Sequence, residues 1–217
     1  MFRKSTNLFA LAVLATATAY AGTKTTFKST WKAPNAQPVH FQGQKVVALV
    51  MNPDLAVRRG AEDELARQIT LHGAMGVPAY TLVAVDDVKD KELAKAAFEK
   101  AGILGVVSMR VVSKDKELSA AGGTNWILPA YGAFWGTDGS VGYYGYGWGG
   151  AYVPSYVSTD NIVGVETLVY SLLQNELVWA GESETTKASN VNVLIQQLVQ
   201  GTIKEMKEQG LMSPEAK

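Results

Sequence analysis

The chain of 217 residues contains no cysteine, only two histidines, and no excess of either charge, with 20 Lys and Arg against 20 Asp and Glu. Each shortage closes a class of function. Without cysteine there is no disulfide framework, no thiolate nucleophile, no cysteine-based zinc site and no acylated cysteine anchor. His40 and His72 alone leave little room for a multi-histidine metal centre. Balanced charge removes the dense basic face of a nucleic-acid binder. The first strand-to-helix turn, Asn52 to Gly60, lacks the glycine fingerprint of a dinucleotide site and the Gly-Lys-Ser/Thr phosphate cradle. No Gly-x-Ser-x-Gly elbow is present either. The residues therefore point to no catalytic group, no cofactor and no metal.

What is present begins with an address. Residues 1–21 carry a short basic start (Arg3, Lys4), an uncharged Ala/Leu-rich stretch from Leu8 to Ala19, and small residues at Ala19 and Ala21. This is the three-part pattern of a secretory signal peptide, with cleavage expected between Ala21 and Gly22. The apolar run is too short to cross a bilayer, which takes roughly 20 residues. The expected compartment is the periplasm or another exported location.

The remainder reads as one α/β domain over 45–211, preceded by an extended lead-in over 22–44 and followed by a frayed tail over 212–217. In the lead-in, Phe27, Trp31 and Phe41 are the side chains able to pin it to the body. Lys45–Asn52 is a short Val-rich run, suited to a strand buried on both faces. The helix that follows places Ala61, Leu65, Ile69 and His72 on one face and offers Arg58, Glu62 and Arg67 to solvent. Tyr80–Val85 is a second strand candidate, Asp86 and Asp87 are placed to start a helix, and Leu93, Ala97, Phe98 and Ala101 form its inner side. Ile103–Val112 is a third strand. Ile162–Leu173 and the segment from Leu177 form a hairpin turning at Gln174-Asn175. Ser189 is placed to cap a last helix, whose stripe runs through Val191, Leu194, Leu198, Thr202 and Met206 to Gly210. The fold expected is α/β (α+β), three helices on a mixed sheet of about five strands, in the order βαβαβ, long insertion, ββα.

The insertion, 119–160, is the least ordinary stretch. From Ser119 to Thr159 the one charged residue is Asp138, and ten of the 21 glycines fall between 122 and 150. Trp126, Tyr131, Phe134, Trp135, Tyr143, Tyr144, Tyr146, Trp148, Tyr152 and Tyr156 are packed into the same region. Tyr and Trp combine a flat apolar face with a polar handle, which suits half-wet surfaces. These ten are the candidate partner- or ligand-binding residues. They fit docking to an envelope protein or self-association, stacking on a cell-wall glycan, or peripheral contact with lipid headgroups. The plainer alternatives are that the segment covers the domain's own sheet or is a low-complexity loop.

Charged residues inside apolar strands are the other candidates. Arg110 and Glu166 each sit in such a strand and must be paired or at the rim, because an isolated buried charge is costly. Glu182 and Glu184 lie two residues apart on one strand face. With Glu166 they are the acidic candidates for an unidentified hydrolase, with solvated charge as the plainer reading.

Lys45–Met51, the helix carrying Glu62 and Leu65, and Leu177-Val-Trp-Ala-Gly181 resemble, in their order, a group of bacterial envelope α/β domains. The group includes the amino-terminal domain of the Tol-system propeller protein, the curli secretion lipoprotein and the outer-membrane activators of penicillin-binding proteins. The chain also resembles secreted and lipoprotein families with Gly/Tyr/Trp-rich insertions. The resemblance implies an assembly or interaction module and carries over no catalytic residue. The chain departs from the lipoproteins in lacking the anchoring cysteine.

Overall fold

The architecture comes from a computed structural model, which describes residues 23–52, 54–84, 87, 90–114, 162–186 and 188–212. The leader 1–21, the insertion 119–160 with its ten aromatic candidates, and 213–217 lie outside the described residues. In chain order the elements are β1 (Lys24–Lys32), β2 (Lys45–Met51), α1 (Leu55–Leu71), β3 (Met75–Pro78), a 3-10 turn (Ala79–Thr81), α2 (Lys91–Lys100), β4 (Gly105–Lys114), β5 (Ile162–Ser171), β6 (Glu176–Thr186) and α3 (Val191–Glu208). The six strands form one mixed sheet in the order β1-β6-β5-β4-β2-β3. β2 pairs in parallel with β3 and β4, and the remaining ladders are antiparallel. Three α-helices on a mixed sheet is the expected class, with six strands among the described residues where about five were expected.

The additional strand is the lead-in. Lys24–Lys32 alternates exposed and half-buried residues and pairs with β6 along its whole length. Phe27 fixes it. Its ring meets Trp179 edge to face at 5.6 Å, and it lies over Gly181 and Gly201, where any Cβ would strike the ring. Trp31 joins the core on the opposite face, and Phe41 packs over Gly105.

The side-chain alternation of β2 divides the core. Val47, Leu49 and Met51 face α2, with Ala94 and Phe98. Val46 and Ala48 face α1 and α3, with Leu65, Ile69, Leu194 and Leu198. The result is a three-layer sandwich with two helices on one face and one on the other. Each helix starts on an Asx cap. Asp54 accepts from the Ala56 and Val57 amides, Asp90 from those of Glu92 and Leu93, and Asn190 from that of Val193. The hairpin turns through Asn175 in the left-handed region at φ 52°, and α3 closes with Gly210 at φ 73° and a buried Leu211 whose amide donates to Met206.

Five local expectations are corrected. The second strand lies upstream of Tyr80–Val85, at Met75–Pro78, and the apolar run becomes the 3-10 turn and a loop that buries Ala79 and Val83. The reason is the abrupt end of α1 at Gly73 (φ 94°), which delivers the chain to the sheet edge two residues later. Gly76 then touches the Ala66 carbonyl so closely that a Cβ would collide with it. α2 begins at Asp90, not at Asp86-Asp87, and α3 is capped by Asn190, not Ser189. In α2, Ala94 with Phe98 faces the core, while Leu93 is exposed. Finally, Arg58 and Glu62 are fully buried, not solvent-facing.

Candidate functional site

Strand directions bring many termini to one end of the sheet. β2 ends there at Met51, followed by the α1 cap. β4 ends at Lys114, β5 begins at Ile162 beside Thr186 of β6, and Lys24 of β1 pairs with the same Thr186. The caps of α2 and α3 follow β3 and β6 and return to this end. β2 leads through α1 to β3 on one side, and β3 leads through α2 to β4 on the other, so strand order reverses between β2 and β4. In α/β sheets, a crevice outside the carboxyl ends of the strands at such a reversal is the usual place for a ligand. Here the space on the α1–α3 face is a cleft of about 140 Å³, lined mainly by apolar side chains, among them Val50, Val57, Val111, Leu194 and Ile195.

The opposite face at this end carries a row of charge. Cross-strand register aligns Arg110 with Glu166, Glu166 with Glu182, and Glu182 with Ser29. The Arg110 Nε donates to Glu166 Oε2 at 2.5 Å, and both side chains are largely buried. The two charges lodged in apolar strands are therefore each other's partner. Glu182 and Glu184 share this face, and the alternating Ser183 and Thr185 are buried on the other. Lys28, at a bulge in β1, closes on Glu184 at 2.6 Å. Burial, and after it the Glu166 and Glu184 carboxylates, pushes the Glu182 carboxyl up, with Arg110 opposing.

A second ionic group supports the crevice from beneath. The Arg58 Nε donates to Glu62 Oε1 at 2.7 Å. The same carboxylate accepts the Val50 amide at 3.2 Å and the Tyr80 amide at 2.8 Å. One buried side chain thus joins α1 to the end of β2 and to the 3-10 turn after β3. Burial raises its carboxyl, against the pull of Arg58 and the two amides.

Chemically, the described residues bring together ion pairs and apolar walls. No group of three or more histidine, aspartate or glutamate side chains among them is placed to hold a metal. His72 Nδ1 lies 2.9 Å from the Gln68 carbonyl at the end of α1, and His40 is exposed in the lead-in. The acidic candidates Glu166, Glu182 and Glu184 do meet, in a row on one sheet face flanked by the Arg110 and Lys28 ion pairs. Sequence reading overlooked Lys28, because the bulge that turns it toward Glu184 leaves no trace in the alternation of β1. It also misplaced Arg58 and Glu62, whose i,i+4 spacing is equally that of a surface pair.

These features define a class: a three-layer α/β domain with mixed sheet and a polar row at the pole from which its long connection departs. Among known proteins, no family model matches the chain and no curated protein matches it. Two solved structures, both PelC dodecamers from Paraburkholderia phytofirmans, are similar at 13% and 11% identity, with TM-scores of 0.41 and 0.42. In each case 84% of this chain and 94% of the other are covered. Similarity at that level says nothing about function. No helix among the described residues is long and apolar enough to cross a membrane.

Proposed function

We propose that the chain is an exported envelope module, without catalysis of its own, that recognises another protein or a second copy of itself through the aromatic segment 119–160. One observation supports this reading above the others. β4 and β5 are hydrogen-bonded antiparallel neighbours whose ends meet at Lys114 and Val163. Two residues are enough to join such a pair, yet residues 115–161 separate the two strands in the chain. Connections of that length in a compact domain are usually functional or disordered. Its composition is that of a contact surface, since Tyr and Trp dominate interface hot spots.

The test is cross-linking and pull-down of the mature chain from envelope extract, with Trp135, Tyr144 and Trp148 changed together to Ala. Recovery of the partner, or of the self-cross-linked species, is expected to fall at least about tenfold, since two hot-spot losses exceed 1.4 kcal/mol. The melting temperature should stay unchanged. Unchanged recovery removes the reading. Titration of Trp fluorescence with peptidoglycan fragments distinguishes the glycan alternative: saturation at millimolar ligand, lost in the triple variant, would replace the protein partner by a sugar. The mass of the protein secreted by its host tests the leader, with an amino terminus at Gly22 expected.

A further inference from the structure

We infer that the carboxylate row at this end of the sheet is a proton-controlled clasp on the edge strand β1, with Glu182 as the residue that takes up the proton. Among the described residues five charged side chains meet there, and four of them form two ion pairs. Arg110 holds Glu166, and Lys28 holds Glu184. Glu182 sits between those pairs, directly across from Glu166 on one side and Ser29 on the other. It is half-buried, and neither cation closes on it. The charged groups that face it among the described residues are Arg110 from β4, Glu166 from β5, Glu184 from its own strand and Lys28 from β1. Like charges directly opposite in a ladder repel.

The consequence falls on β1 because β6 is its sole sheet neighbour among the described residues. With Glu182 ionised, two carboxylates press on a strand held at its bulge by Lys28. Once protonated, the Glu182 hydroxyl becomes a donor and is surrounded by carboxylate acceptors, so repulsion turns into a hydrogen bond. Burial and the two neighbouring glutamates both raise the Glu182 carboxyl above its ordinary range. The folded protein therefore holds this proton more tightly than the unfolded chain does. Its stabilising contribution is complete below the unfolded value of about 4.3 and is lost as pH rises through the folded one.

The experiment measures hydrogen-exchange protection factors of the β1 amides, and the melting temperature, between pH 4.5 and 8 for the mature chain and for Glu182→Gln. The wild type should gain about two- to fivefold in β1 protection on acidification, the scale of one favourable cross-strand pair. Glu182→Gln should show that added protection already at pH 8 and lose the corresponding step. Glu184→Gln, which strips Lys28 of its partner, should loosen β1 at every pH while keeping the step. Identical pH profiles for wild type and Glu182→Gln, or a β1 loosened by Glu182→Gln at pH 8, would overturn the inference, as would disappearance of the step in Glu184→Gln.

Discussion

The two faces of the sheet each carry an ion pair, and the pairs answer opposite needs. Arg58–Glu62 is sealed beneath α1, and its carboxylate also receives two backbone amides. Arg110–Glu166 opens into a lateral row that continues through Glu182 to Glu184 and Lys28. The first is a strut in which every change leaves a buried charge or an orphaned amide. The second is a graded surface in which one carboxylate exceeds the available cations. Nearness of opposite charges is common to both. What separates them is enclosure: Arg58 and Glu62 are both fully buried, whereas Glu182 and Lys28 reach solvent.

That contrast is sharpest at Glu62. Glu62→Ala should cost about 3–5 kcal/mol, since it leaves the Arg58 guanidinium buried without its carboxylate, and denaturant unfolding of the mature chain measures it. Replacing both, as Arg58→Met with Glu62→Leu, should recover part of that loss; a double variant as unstable as the single one would deny that an uncompensated charge is the cause. A purely steric counterpart lies nearby. Gly76→Ala should cost about 1–3 kcal/mol by forcing β3 away from the Ala66 carbonyl, with larger effects for larger side chains, and a thermal melt close to wild type would show that the two elements can part cheaply. On the edge strand, Phe27→Ala should cost about 2 kcal/mol, less than a fully buried phenylalanine. Exchange should then quicken selectively in Lys24–Lys32. Uniform exchange loss across the sheet would mean that β1 is no separate unit. At the bottom of the scale, Leu173→Ser on the hairpin, where the side chain is 76% exposed, should change stability by less than about 0.5 kcal/mol.

The elements with strong local signals were legible in the chain. Val46 to Met51 suited a buried strand and is one, and the stripe from Leu194 to Met206 sits where its 3.6-residue period puts it. The Asn175 turn is equally a local matter. Legibility ended where local patterns have two solutions. Phe27 and Trp31 were recognisable as anchors, but nothing nearby announced that β6 would present an edge for the lead-in to complete. Tyr80–Val85 carries strand-like residues, yet the backbone had already reached the sheet at Met75. The Glu182–Glu184 face was visible from its spacing, and the Arg110–Glu166 partnership was inferable from the cost of burying either alone. Lys28 was not, because a bulge shifts register by one residue without altering composition.

Composition and periodicity alone established the class of fold, the three helices and the hairpin, because these depend on side-chain volume, polarity and spacing along the backbone. Tertiary packing decided which charges are enclosed and which stand in the open row, and it joined β1 to β6 as the sheet's edge. Burial and cross-strand register are relations between segments up to about 160 residues apart, as between Thr25 and Thr185, and no single stretch of chain contains them.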